Sequence, residues 1–380
     1  MRRHIIFPGL VAMAMLAFAV DGVRAQVRVV DPEPGGYVSG EYEIQLAADQ
    51  PELIQETRFY IDGRLVSSGK GWIAGLLYDF GEAIEAHTIH AEVIEKNGGR
   101  QESERVTTRA LRVDYEETTR LILLSAVVKT RANKPLTGLD ADDFEVLHNG
   151  RALPIESFHK EALPLDLVLL LDTSSSLRNE GFPELKQSSI QFLNELTRSD
   201  QVLLFEFKNE PHRLLGFTTD RKRLVQQINE LKPSGATALF DALLLGLDSL
   251  GSRRRGRKAV VLFTDGRDTR YEEPQRKAKL LRRAISQAQN QEVTVFTIGL
   301  GDKIHKQALE TIAEETGGRY LFADKAIRLP QRFAELVEDL KNQYILGVRP
   351  PDSGSGFHAL EIKVKKRRAV VYARKGYTSD

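Results

Sequence analysis

Leu165-Asp166-Leu167-Val168-Leu169-Leu170-Leu171-Asp172-Thr173-Ser174-Ser175-Ser176 is the stretch that decides the fold. A near-continuous apolar run from Leu165 to Leu171 suits a strand buried on both faces of a parallel sheet, not one with a wet face. The run stops at Asp172 and a Ser-rich turn. A helix follows, with Pro183 near its start and Leu185, Phe192, Leu193 and Leu196 on one stripe.

Working outward, strands are expected at 202–207, 259–263, 293–298 and around 320–322. Helices are expected at 220–231, 238–250, 272–289 and 306–315, the last of these stopped by Gly317-Gly318. A final helix carries Phe333, Leu336, Val337 and Leu340 on one face. Strand-helix repetition of this kind predicts a doubly wound, mostly parallel α/β domain over 164–342.

Both flanks read as β. Residues 121–129 are β-rich, and Phe144 to Leu147 runs into Asn149-Gly150, a strong hairpin signal. After the α/β block come strands at 344–348, 359–364 and 370–373. The expectation is that 116–163 and 343–380 pair into one small β-domain, with the α/β block inserted as an excursion. From 26 to 115, Tyr42, Ile44 and Leu46 alternate with Glu41, Glu43 and Gln45. Turn signals recur at Pro34-Gly35-Gly36, Asp62-Gly63 and Asn97-Gly98-Gly99, a β-sandwich pattern. His87 and His90 lie three apart on a strand pattern and point to opposite faces, so they are expected to be structural.

Residues 1–25 read as a cleaved export signal: Arg2 and Arg3, an apolar run from Ile5 to Val20, then Val23-Arg24-Ala25 before Gln26. The 380 residues carry a formal net charge of +1, which gives no global field to recruit nucleic acid or anionic lipid. No cysteine occurs, which excludes disulfides, thiol nucleophiles and zinc–thiolate sites. No second apolar run is long enough to span a membrane. The basic clusters at Arg253 to Lys258 and Lys363 to Arg368 are expected to be solvated turns.

Asp172, Ser174 and Ser176 stand just past a buried strand, where open α/β sheets bind their ligands. Thr237 lies in Ser234-Gly235-Ala236-Thr237, a loop entering a helix, and Asp265 ends another strand in Phe263-Thr264-Asp265-Gly266. Two carboxylates and three hydroxyls on one edge are hard oxygen donors, suited to Mg²⁺, Mn²⁺ or Ca²⁺ and not to zinc. Asp241 and Asp268 fall near the same edge but are not expected as ligands.

At those five residues the sequence resembles the von Willebrand factor type A family and its metal-ion-dependent adhesion site. The family pattern is Asp-x-Ser-x-Ser, then a loop Thr, then an Asp after a later strand. Ser175 stands where Gly is frequent in the family. Further segments extend the resemblance: Leu136-Thr137-Gly138-Leu139, Asp142-Asp143-Phe144-Glu145-Val146, Tyr344-Ile345-Leu346-Gly347 and Ala373-Arg374-Lys375-Gly376-Tyr377 are similar to a subfamily known mainly from Acidobacteria. Pro34 to Gly40 and Phe59 to Gly63 resemble bacterial Ig-like modules.

The resemblance implies a Mg²⁺ site at Asp172, Ser174, Ser176, Thr237 and Asp265, with a coordination position open for an Asp or Glu of a protein partner. The expected function is adhesion-like binding by a secreted or periplasmic protein. The alternative is a structural accessory of an envelope assembly, with the metal only stabilising the fold. An enzyme is not expected: the Ser/Gly stretch Asp352-Ser353-Gly354-Ser355-Gly356 sits in a Pro/Gly-rich linker, without the strand-turn-helix that a nucleophile elbow needs.

Overall fold

A computed structural model describes residues 25–81, 84–110, 121–160, 163–178, 181–253, 256–271, 273–351, 354–365 and 369–379. The export signal expected at 1–25 lies outside these residues except for Ala25.

At the centre is a six-stranded sheet. Its order is Pro211–Thr218, Gln201–Phe207, Leu165–Asp172, Arg257–Thr264, Val293–Leu300, Tyr320–Ala323. The first pair is antiparallel and the others are parallel. Every residue of Leu165–Asp172 is buried, as its apolar run requires. Along that strand the side chains alternate between two cores. Leu165, Leu167, Leu169 and Leu171 join the core containing α1 (Phe182–Glu195), α2 (Arg221–Glu230) and α6 (Leu329–Lys341). Val168 and Leu170 join the core of α3 (Leu239–Leu250), α4 (Pro274–Asn290) and α5 (Lys306–Glu315). Burying both faces of one strand in this way fixes it as the middle of a three-layer unit.

The chain leaves Leu165–Asp172 for the strand on one side and later returns to Arg257–Thr264 on the other. The carboxyl ends of these two neighbours therefore flank the switch point, where an open sheet leaves a crevice.

The edge strand Pro211–Thr218 was not anticipated from sequence. Its exposed and half-exposed positions, with His212 and Arg213 among them, lack the apolar run of the inner strands. The cluster at Arg253 to Lys258 also departs from expectation. Arg253 forms an ion pair with the fully buried Asp166 at 2.8 Å, and Arg257 is buried. The Arg257 guanidinium donates to the carbonyls of Leu163 and Leu340 and to Gln343 Oε1. Arg253 is thus an internal strut of the α/β unit and Arg257 ties that unit to its flanks; neither is a solvated turn residue.

The strands on either side of the α/β unit share sheets. Phe144–His148 pairs with Gly356–Val364, and Gln343–Val348 lies between Ile155–His159 and Ile122–Thr130. Two four-stranded sheets enclose one core that includes Leu124, Phe144, Val146, Tyr344, Leu346 and Leu360. Ile155–His159 and Gln343–Val348 are neighbours, so the α/β unit leaves and rejoins the same sheet. Asn149 and Gly150 both have positive φ, 49° and 78°, as a tight hairpin between Phe144–His148 and Arg151–Leu153 requires.

Residues 27–107 form two further antiparallel sheets around Ile44, Phe59, Ile61, Ile89 and Val93. His87 binds Asp62 at 2.7 Å, and His90 stacks on Tyr60 with ring centroids 4.8 Å apart. Each histidine has its own structural partner. This β unit touches the α/β unit through Ser39 to Glu41: Gln201 Nε2 donates to Ser39 O, and Thr219 Oγ1 to Glu41 O. Among the described residues, no helix is long and apolar enough to cross a membrane.

Candidate metal centre

Asp172 ends its strand fully buried, and the chain turns at once. The backbone N–H of Ser174 donates back to Asp172 Oδ1 at 2.9 Å, an Asx-type turn that swings the following hydroxyls over the sheet edge. Ser175, the residue between the two candidate ligands, is used elsewhere. Its N–H and hydroxyl both donate to Gly235 O, at 3.1 and 2.8 Å. This staples the first loop to the loop that carries Thr237. Ser174 Oγ and Ser176 Oγ then stand 2.9 Å apart.

Asp265 enters from the neighbouring strand. Its Oδ1 accepts from Ser176 Oγ at 2.8 Å and from Ser174 Oγ at 3.4 Å. Both hydroxyls thus converge on one carboxylate oxygen. The second carboxylate is reached through Thr264, whose Oγ1 donates to Asp172 Oδ2 at 2.6 Å. Thr237 is buried, and a Cβ built on Gly266 would stand 3.2 Å from its Oγ1. The five sequence-predicted residues therefore share one edge. Ser174, Ser176 and Asp265 touch directly, Asp172 joins through Ser174 N and Thr264, and Thr237 lies against Gly266.

Burial is uneven across the group. Asp172, Ser174 and Thr237 are buried, Asp265 is half-buried, and Ser176 is exposed. The cluster thus has a closed floor and a side open to water. Desolvation pushes the Asp172 carboxyl up to about 7; hydrogen bonds from Thr264 and Ser174 oppose this, and the Asp265 carboxylate adds to it. Asp265 is also raised, chiefly by burial, with Ser176 and Ser174 hydrogen bonds and the charge of Lys303 opposing. Two desolvated carboxylates lined by hydroxyls form a donor set that a hard divalent cation fits. The ion would neutralise both acids and draw on the same hydroxyl oxygens.

Three supporting residues escaped the sequence reading. Thr264 orients Asp172, and its signal was its place between Phe263 and Asp265 at a strand end. Gly235 supplies the carbonyl that anchors Ser175. Asp268 is buried and caps α3: its Oδ2 accepts from Phe240 N at 3.0 Å, while Oδ1 accepts from the N–H groups of Arg270 and Tyr271. Asp241 is engaged by Tyr271 OH at 2.7 Å and by Arg270 at 3.0 Å. Neither aspartate is among the converging donors.

Comparison with known proteins agrees with this topology. Residues 166–335 match the family model of the von Willebrand factor type A domain. An uncharacterized protein of Synechocystis sp. is 25% identical over 187 residues, covering 48% of this chain and 43% of that protein. Inter-alpha-trypsin inhibitor heavy chain H4 of Sus scrofa is 26% identical over 194 residues, covering 47% and 21% respectively. The minor fimbrium subunit Mfa5 of Porphyromonas gingivalis is 28% identical over 113 residues, 27% of this chain and 9% of that one. The chain thus spans less than half the length of each of these relatives. Among solved structures, a von Willebrand factor type A protein from Catenulispora acidiphila aligns with 70% of this chain and 75% of its own, at 13% identity and a TM-score of 0.42. The α/β unit of this chain is a von Willebrand factor type A domain.

Proposed function

We propose that this chain is an exported, metal-dependent protein-binding module, with Asp172, Ser174, Ser176, Thr237 and Asp265 holding one Mg²⁺ and an Asp or Glu of a protein partner completing its shell. The observation that carries the reading is the convergence of the Ser174 and Ser176 hydroxyls on Asp265 Oδ1 beside the buried Asp172. The group is closed on the Asp172 side and open on the Ser176 side, so a cation held there would be reached by a partner from the Ser176 side. When bound, the cation supplies an electrophilic centre that attracts a carboxylate. Mg²⁺ takes six oxygens and keeps water where the protein offers too few. The chain's own residues supply the rest: Thr264 and Ser174 N hold Asp172 in place, and Ser175 locks the first loop to the second.

Export is supported by the charged start and apolar run of residues 1–25. We read the N-terminal β unit as an Ig-like module. A relative named as a fimbrium subunit, a part of a protein assembly, supports a binding role.

The test is capture of partners from envelope and culture extracts by the wild-type chain and by Asp172→Ala, each with and without chelator, with circular dichroism to verify the fold. Partners lost both with chelator and in the variant support the reading. Partner binding unchanged in Asp172→Ala and in Asp265→Ala would refute it. Metal-dependent stability without metal-dependent capture would assign the ion to structure alone.

A further inference from the structure

Beside the metal loop lies a cavity of about 470 Å³, between α4, α5 and the loops preceding them. It opens at the carboxyl end of Val293–Leu300, the strand next to Arg257–Thr264, with Thr264 paired to Gly299. Arg267, which lines it, stands two residues after Asp265, so its near wall is within roughly 7 Å of Asp265 along the chain. Phe240 and Leu281 give it an apolar floor, while Arg267, Lys277, His305 and Lys306 ring it. Eleven residues line it and none is Asp or Glu. Among the described residues, no ion pair engages Arg267, Lys277 or Lys306.

A carboxylate close by, Asp268, is already committed. Asp268 spends both its oxygens on backbone N–H groups at the head of α3 and in its own loop. Lys277 Nζ instead donates to the backbone carbonyl of Asp268 at 3.2 Å and lies 3.3 Å from His305 Nε2. The result is a partly desolvated pocket with unmatched positive charge, where an anion would be worth more than at an open surface. Residues 306–308, which open α5, also line it, and no side chain caps that helix. One wall, at Arg267, belongs to the same loop as Asp265, which brings the cavity next to the proposed metal centre.

We infer that this cavity is a second recognition point, which takes a further carboxylate from the acidic segment whose first carboxylate completes the metal shell. The inference rests on the metal-dependent reading above and narrows its partner to a segment with spaced acidic residues. An extended chain advances roughly 3.3 Å per residue and alternates its side chains, so carboxylates two positions apart face one side and span the gap.

The probe is a synthetic glycine-flanked peptide with glutamates two positions apart, beside its glutamine counterpart, titrated calorimetrically into the full chain with Mg²⁺. The expected result is that the acidic peptide binds, the glutamine peptide does not, and Lys277→Gln with Lys306→Gln weakens binding about tenfold. Mg²⁺ affinity measured without peptide stays unchanged in that double variant. Equal peptide affinity in wild type and double variant overturns the inference, as does failure of the acidic peptide to bind wild type. Inorganic phosphate binding as tightly as the peptide also overturns it, by assigning the cavity to a free anion. If the peptide binds equally with chelator, the metal reading fails and the cavity stands only where the double variant still loses binding.

Discussion

Thr264 Oγ1 donates to Asp172 Oδ2 at 2.6 Å, joining the ends of two adjacent parallel strands through a fully buried pair. Both residues close their strands, so the bond fixes where the Asp172 carboxylate sits at the switch point of the sheet. A hydrogen bond to a charged group contributes about 1.5–3 kcal/mol, and more is lost when the remaining partner stays buried without it. Thr264→Val keeps the β-branched shape and removes only the donor. The expected outcome is a drop of about tenfold or more in Mg²⁺ affinity by calorimetry, with the far-ultraviolet spectrum unchanged.

The same buried acid gives the proposed metal centre a pH dependence. Desolvation, with Asp265 adding to it, holds Asp172 near 7 against an ordinary value of 3.8. The folded pKa is therefore raised. The unfolded chain gives up this proton first, so stability falls as pH rises from about 4 to about 7 and the loss is complete above that window. Metal-free protein is expected to melt at a lower temperature at pH 8 than at pH 5, with Asp172→Asn reducing that difference. A divalent cation must displace the same proton. Its apparent affinity is expected to climb through pH 6 to 7 and then level off. Flat binding from pH 5 to 8 would count against Asp172 as a ligand.

The sequence made the α/β unit legible because its signals are local. Leu165 to Leu171 can be buried only on two sides, and Asp172-Thr173-Ser174-Ser175-Ser176 announces a turn at the strand end. The five candidate donors could be named for the same reason, each standing at an element boundary. Other features depended on distant partners. Arg253 and Arg257 look like a solvated basic turn until Asp166 and the carbonyls of Leu163 and Leu340 are brought to them. The edge strand Pro211–Thr218 has one neighbour and an exposed face, so nothing in its composition required a strand. Asp268 reads as a loop residue because its role is set by Phe240, 28 positions away.

Gly266 offers a subtler perturbation of the third donor. An added Cβ would meet Thr237 Oγ1 at 3.2 Å, tighter than ordinary contact. Gly266→Ala therefore needs the hydroxyl to yield by a few tenths of an ångström, which the Thr237 backbone resists because it pairs with Thr269 in both directions. Mg²⁺ affinity is expected to fall severalfold while the melting temperature of the chelated protein shifts little. Positioned ligands lose affinity on small displacements because the octahedral shell of Mg²⁺ tolerates little distortion. A large drop in stability instead would show that the residue serves the fold.

Asp339, on α6, ties the α/β unit to its β flank. It is fully buried and accepts from Lys129 Nζ at 2.6 Å and from Arg319 at 2.5 Å; Lys129 is itself 1% exposed. Lys129 belongs to Ile122–Thr130, which pairs with the strand Gln343–Val348 directly after α6. The ion pair and the sheet therefore hold the same helix from both sides. Removing one partner of a buried pair leaves uncompensated charge and costs about 3–5 kcal/mol, whereas exchanging the pair for apolar residues of similar size is often near neutral. Asp339→Ala is expected to lower the urea midpoint sharply. Lys129→Met with Asp339→Leu should recover part of the loss, limited by Arg319, whose Nη1 loses its Asp339 acceptor in both variants. If the flank and the α/β unit fold as one cooperative body, fluorescence and circular dichroism will report the same midpoint in wild type. Two separated transitions in Asp339→Ala would show that this one carboxylate couples them.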